Sequence, residues 1–459
     1  MIRVPSETLG VGLVFVAIGV LACLSPAQSD TWWMIRAGQD IWTTGAIPYG
    51  DAYSHTASGR FWFNHQWLSE LIFFAAFRLG GLPLLTGLCA SAILAAWILC
   101  WRLTRGAFEW RFVLLAVCMP AAAGSWALRA QVFSTLLFVL VCRALAEKRR
   151  LVWIPAIVAL WVNVHAGVVL GLVAIAGAAL AETVHRRQIA WPLVWTLGAS
   201  ALATGLSPLG VRLYPEILLS IERSRINRLS EWLPPDAALW LWPFWGLVAA
   251  VPVTIVVRRR VFDERTARWL GIALAVLPLA VRSTRNVHIF LLAAVPAVTS
   301  AWARLAPGRA RAAGEREGVN GAILSVASVL AAVLVAAIWM RPPPALGWRP
   351  ISPAAVAAIE ACDGRLYNTY SDGGVLIWFA PGTRVFIDNR QDPYPNELLR
   401  ESKQLESDGL YESVFARYLI RCAAVPAIHP VTRRLLVDPQ WSVIHRDASW
   451  IVMRRAGPP

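Results

Sequence analysis

Apolar runs of 15 to 22 residues recur along most of this chain, and no soluble fold has room to bury so many of them. A helix needs ~20 apolar residues to cross a bilayer core. The runs at Thr8–Ala27, Leu82–Leu103, Phe112–Ala127, Val132–Ala146, Ile189–Leu206, Ala238–Val257, Trp269–Val281, His288–Trp302 and Gly321–Met340, with a pair inside Leu151–Glu182, predict about eleven spans. Across its 459 residues the chain is 57% hydrophobic and only 15% charged. The formal net charge of +15 does not read as a nucleic-acid face, because the arginines sit between apolar runs and gather on no soluble surface.

Those arginines read as topology signals. Basic residues cluster in alternate loops: Arg102, Arg105 and Arg111; Lys148, Arg149 and Arg150; Arg186 and Arg187; Arg258, Arg259, Arg260, Arg265 and Arg268; Arg304, Arg309, Arg311 and Arg316. The positive-inside rule places all five in the cytoplasm, with the amino terminus inside and the carboxy-terminal segment outside. An integral, multi-pass protein of a bacterial inner (plasma) membrane is expected. Leu68–Leu79 is ~18 Å of helix, too short to span, and is expected to be interfacial or re-entrant. Leu151–Glu182, ~48 Å, is expected to be two short helices broken near Asn163, Val164 and His165, because a single crossing would invert every later loop.

Two domains follow: a transmembrane domain over 1–340, with a large non-cytoplasmic first loop over 28–67, and an extracytoplasmic α/β domain over 341–459. Arg341, Pro342, Pro343 and Pro344 stop the last span. Beyond them strands are expected at Arg365–Tyr370, Arg384–Asp388, Tyr418–Cys422, Ser442–His445 and Trp450–Arg454, and helices at Gly373–Phe379, Asn396–Arg417 and His429–Leu436. Cys362 and Cys422 fall outside the membrane, where pairing and free thiols both stay open. No glycine-rich phosphate loop is present, and Asp388, Asn389, Arg390 and Asp392 form either a turn or a ligand cluster.

The first loop carries the most specific pattern. Asp30 lies just past the first span, followed by Ala37, Gly38, Ile41, Gly45, Ile47, Pro48 and Asp51, then Trp67 and Leu68 to Leu79, Gly80 and Gly81. This order resembles the first-loop pattern of GT-C superfamily membrane glycosyltransferases, nearest to the protein mannosyltransferase and aminoarabinose transferase group. The resemblance covers residues 8 to 105. It implies a GT-C-like fold and transfer of a sugar from a polyprenyl-phosphate donor on the non-cytoplasmic face, with the acid after the first span acting on the acceptor. The paired Asp-Glu of that pattern reads Ser29, Asp30 and Thr31 here, and its Pro-Pro-Leu reads His65, Gln66, Trp67 and Leu68.

The residues point the same way without it. Transfer from a lipid-linked sugar needs a base for the attacking hydroxyl and positive charge for the departing phosphate. Asp30 and Asp51 are the candidate catalytic acids; Asp51 also fits a turn after Tyr49 and Gly50. Arg129, Arg285 and His165 are expected to bind the donor phosphate, and His55, His65, Asn163 and Asn286 the substrate. No metal ligand set is assigned and no cofactor is certain, although a divalent cation held by Asp51, His55 and His65 stays open. The expected partners are a polyprenyl-phosphate-linked sugar, a glycan, lipid or protein acceptor, and membrane lipids, with no nucleic acid. Rival readings are a non-catalytic membrane scaffold or receptor and a transporter or flippase of lipid-linked glycans.

Overall fold

The computed structural model describes residues 3–226, 229–258, 262–303 and 316–456. Arg259, Arg260, Arg304, Arg309 and Arg311, expected in cytoplasmic loops, lie outside the described residues. The chain divides into two compact units. The first comprises Met1–Ser25, Pro83–Val211 and Ser230–Pro342; the second comprises Pro26–Leu82, Arg212–Leu229 and Pro343–Pro459.

A helix stands at each of the eleven apolar segments. Among the described residues five are long and apolar enough to cross a membrane: Ser6–Cys23, Trp67–Leu103, Val168–Arg186, Leu239–Arg258 and Glu317–Met340. A sixth counts if the broken pair Trp191–Leu206 and Gly210–Ser224 is one span. The expected count of eleven exceeds this because several helices are short. Phe108–Ala123 and Val287–Trp302 have 16 residues each, and Trp153–Val164 has 12, against the ~20 of a full crossing. The expected short helix Leu68–Leu79 is present: within Trp67–Leu103 the helix is interrupted at Gly80 and Gly81, which leave helical geometry; Gly81 has φ 62°, open at little cost only to glycine.

In the first unit Val287–Trp302 is buried along nearly its whole length and forms the centre of the bundle. Glu317–Met340 instead exposes Val319, Ile323, Val326, Val329, Leu330, Val333 and Leu334, an apolar surface suited to lipid. Helices Val168–Arg186 and Glu264–Arg282 cross at two glycines. A Cβ on Gly271 would lie 2.3 Å from the Gly177 carbonyl oxygen, and one on Gly177 would lie 2.5 Å from that of Gly271. Ala181 and Ala275, each four residues further on, complete a small-residue seam. Gly271→Ala should therefore cost at least about 2 kcal/mol, while Gly198→Ala, whose Cβ meets open space, should cost nothing. Thermal midpoints of the two purified variants check this.

At one end of this bundle Lys148, Arg186 and Arg268 converge on the buried Glu182, at 2.7, 3.3 and 2.7 Å. Three of the basic loops thus meet around one acid. The three cations and the carboxylate offset part of one another's desolvation cost.

The second unit is built on a four-stranded sheet, order β1-β2-β4-β3, with β1 Arg365–Tyr367, β2 Ile420–Pro426, β3 Trp441–Arg446 and β4 Trp450–Arg455. β1 and β2 are parallel, with Leu366 opposite Cys422; β2 and β4, and β3 and β4, are antiparallel. The parallel pair demands a long crossover. It contains helices Gly373–Phe379, Asn396–Asp408 and Glu412–Tyr418. The expected single helix Asn396–Arg417 is two, because Gly409 at φ 75° ends the first in the left-handed region. The expected strand Arg384–Asp388 makes only one isolated bridge, Val385 with Ser54. The Asn368 amide replaces a ladder there, accepting from Phe386 N–H at 2.8 Å and donating to the Ile387 carbonyl at 2.7 Å. Cys362 and Cys422 form a disulfide.

The segment expected as a large first loop over 28–67 opens with a helix: Ser29–Thr44, capped by Gln28 and Thr31 and ended by Gly45 at φ 69°. Two glycines bring backbones against it. A Cβ on Gly38 would lie 2.0 Å from the Glu70 carbonyl oxygen, and one on Gly374 2.2 Å from that of Ser29. The rest of the loop is pinned to the carboxy-terminal residues. Ala57 sits in the same apolar core as Tyr367, Phe386, Phe415 and Ile451. His55 N–H donates to the Val385 carbonyl and Val385 N–H to that of Tyr53, both at 3.0 Å.

Candidate active site: a polar cluster in each unit

In the second unit, the short segment Asp388–Asp392 gathers the acids of the first loop. Asp30, half-buried at the start of Ser29–Thr44, accepts at Oδ1 from Asn389 Nδ2 at 2.5 Å and from Trp33 Nε1 at 3.1 Å. Both bonds land on one oxygen and orient the carboxylate. The next residue, Arg390, reaches Asp51. Its Nη2 lies 2.5 Å from Asp51 Oδ1 and 2.6 Å from Asp388 Oδ2, while its Nε donates to Asp388 Oδ1 at 2.8 Å. The guanidinium lies against the rings of Trp62 and Tyr53, 4.7 and 4.8 Å from their centres. Tyr394 O–H donates to Asp388 at 2.6 Å. Burial opposes the charge on Arg390, but Asp388, Tyr394 and Asp51 outweigh it and raise its pKa well above the usual value.

Asp51 is fully engaged. Oδ1 accepts from Arg390 and from Tyr53 N–H at 3.3 Å; Oδ2 accepts from Ser54 N–H at 3.1 Å and Ser54 O–H at 2.6 Å. Four bonds fill the acceptor capacity of a carboxylate. Beside it, Tyr53 O–H donates to Asp40 at 2.7 Å, and Asn64 Nδ2 to the buried Glu70 at 3.0 Å. His55 Nε2 is 2.8 Å from the Leu366 carbonyl and ties the loop to β1; burial lowers its pKa. His65 stacks on Phe63, centroids 4.6 Å apart. Among the described residues no group of three or more His, Cys, Asp and Glu is placed to hold a metal ion.

Two further buried acids give this unit a pH signature. Burial pushes Asp392 up to about 7 against the pull of Arg223, and pushes Glu406 up to about 7 against the Tyr370 N–H bond. Both keep their proton in the folded unit until near neutrality but lose it near pH 4 when unfolded. Their contribution is therefore complete below about pH 4 and is lost as pH rises through about 7, at up to ~1.4 kcal/mol per pKa unit. The smaller downward shifts of His55 and His429, which burial causes, act in the opposite sense. Thermal midpoints should fall between pH 5 and pH 8, and Asp392→Asn should flatten that slope.

The first unit brings together the expected phosphate ligands. Glu231 bridges two arginines: Oε2 is 2.7 Å from Arg129 Nη1 and Oε1 is 2.8 Å from Arg285 Nη1. Arg285 Nη2 lies 3.2 Å from His165 Nε2. His165 ends Trp153–Val164 at the expected break before Val168–Arg186, where Gly167 N–H donates to its Nδ1 at 3.0 Å. Ser134 Oγ, which accepts from Trp161 Nε1 at 2.7 Å, stands 2.9 Å from the same nitrogen. The Arg285 guanidinium, which can only donate, thus stands at hydrogen-bond distance from the ring.

Asn163 Nδ2 donates to the Ala159 carbonyl at 2.9 Å and Asn286 Nδ2 to that of Leu279 at 3.3 Å. Sequence reasoning did not single out Ser134, or Glu231 as the partner of both arginines. It left Asn389 and Arg390 undecided between turn and site, because their partners stand more than 330 positions earlier.

No protein-family model matches the sequence, and a search of curated proteins finds no match. Solved structures do resemble it. ArnT from Cupriavidus metallidurans bound to undecaprenyl phosphate superposes with a TM-score of 0.52 at 13% identity, covering 97% of this chain and 99% of that one. Arabinofuranosyltransferase AftD from Mycobacteria gives 0.52 at 14% identity, covering 100% of this chain and 40% of that one. The fold is GT-C-like: an integral membrane helical body with a small carboxy-terminal α/β part.

Proposed function

We propose that this protein is a membrane glycosyltransferase that takes a sugar from a polyprenyl-phosphate donor and passes it to a glycan, lipid or protein acceptor on the non-cytoplasmic face. The observation that carries the reading is the Arg129, Arg285, Glu231 and His165 cluster, a dense set of donors suited to a phosphate oxygen. The similar ArnT was solved with undecaprenyl phosphate bound, which supports a lipid phosphate as its ligand. Asp30, oriented by Asn389 and Trp33, serves as the base toward the acceptor hydroxyl. Asp51 acts through structure, holding Arg390, and His55 likewise ties loop to sheet.

The Cys362–Cys422 bond favours an oxidising compartment for the second unit, in keeping with an extracytoplasmic carboxy-terminal domain in a bacterial inner membrane. The convergence of Lys148, Arg186 and Arg268 on Glu182 supports a cytoplasmic location for that end of the first unit. Membranes containing the protein should transfer label from a polyprenyl-phosphate sugar. Arg285→Ala should weaken donor use by about tenfold or more while leaving acceptor KM unchanged, since a charged hydrogen bond contributes ~1.5–3 kcal/mol. Unaltered donor kinetics in a folded Arg285→Ala protein would remove the phosphate assignment.

A further inference from the structure

The two arginines of the first unit's cluster share a single carboxylate, and that carboxylate is held in place. The backbone carbonyl of Glu231 accepts from Ser283 O–H at 2.9 Å, and two residues on, the Leu233 carbonyl accepts from Thr284 N–H at 2.9 Å. Trp232, between them, lies under Arg285 with its ring centre 5.4 Å from the guanidinium carbon. The Glu231 side chain is thus a fixed element of the site. Arg285 and Arg129 bring two positive charges, and the one carboxylate that bridges them, Glu231, offsets one of the two.

That offset discriminates between the two ends of a transfer. In the donor the lipid phosphate is a diester, carrying one negative charge. As the acceptor oxygen bonds the anomeric carbon, the bond from that carbon to the phosphate oxygen breaks, its electron pair stays on the phosphate, and the acceptor proton passes to the base. The lipid product is a monoester carrying about −1.5 to −2 at pH 7. A bare arginine pair would hold this product more tightly than the donor. We infer that Glu231 is a specificity-determining residue that offsets one arginine charge, matches the cluster to a phosphodiester, and weakens retention of the phosphomonoester product.

The inference rests on the reading of this cluster as the lipid-phosphate site. It is tested on the full-length protein in nanodiscs with two probes, a short prenyl monophosphate and the methyl ester of the same prenyl phosphate. Removing one fixed negative charge acts on about twice the ligand charge in the monoester. Glu231→Gln should therefore tighten the monophosphate by about tenfold and the methyl ester by about threefold, and Glu231→Asp, which keeps the charge, should leave their ratio within about twofold of wild type. Equal changes for both probes, or weaker binding of both, overturn the inference. So does a wild-type protein that binds the monophosphate about tenfold more tightly than the ester, a measurement that does not depend on how the variants fold. If Arg285→Ala leaves both probes unaffected, the phosphate reading itself fails, a result separate from the ratio.

Discussion

Asp30→Asn should lower the rate of sugar transfer by about 100-fold or more, the usual contribution of general-base catalysis, with little change in expression or thermal midpoint. The substitution keeps the shape, and the asparagine Oδ1 can still accept from Asn389 and Trp33, the two donors that orient the native carboxylate. What it loses is the capacity to take a proton. Because Asp30 belongs to the acceptor side of the proposed reaction, donor KM should move little while kcat falls. Initial rates with labelled donor, at saturating and limiting acceptor, check both. Undiminished transfer by a folded Asp30→Asn protein would end the base assignment and favour a scaffold or a transporter.

The second large effect concerns folding. Arg390→Ala should destabilise the second unit by about 3–5 kcal/mol, the cost of breaking a buried ion pair from one side. It leaves Asp51 and Asp388 facing each other in the interior without the guanidinium that both contact, and removes the plane lying against Tyr53 and Trp62. A loss of that size matches much of a domain's total stability. Adding Asp51→Asn to Arg390→Ala should recover part of it, since one uncompensated charge is gone. Thermal midpoints and the monodisperse yield of the single and double variants measure this; an Arg390→Ala protein as stable as wild type would show that the triad is dispensable.

What the sequence revealed depended on how local the determining contacts are. Apolar period and length located the eleven helices, and the break at His165 was legible because Leu151–Glu182 is too long for one crossing and too short for two comfortable ones. Ser29–Thr44 was hidden by its polar residues, although Ala37 and Ile41 stand four apart and Gly45 is a helix-ending glycine. The Arg384–Asp388 reading failed for a non-local reason: the hydrogen bonds of that segment go to a side-chain amide and to the first loop, which no local pattern encodes. The same holds for Arg390 and Asp30, whose roles are set by partners in a distant segment. Glu231 lies 102 positions from Arg129 and 54 from Arg285, so the sequence displayed the charges without showing which of them meet.

The interleaving of the second unit from three stretches of chain has a consequence for biogenesis. Asp51 and Arg390 are 339 positions apart, and a ribosome adding ~5–20 residues per second needs roughly 20–70 s to make the intervening chain. During that interval Ser29–Thr44 and the loop after it have left the ribosome without the segment that neutralises Asp51 and covers Ala57. The unit cannot close cotranslationally in the order in which its parts are made. Its rate of maturation is set by the arrival of the last stretch, and a stalled or truncated chain presents an open, acidic, aromatic-rich surface to whatever quality control surveys the membrane.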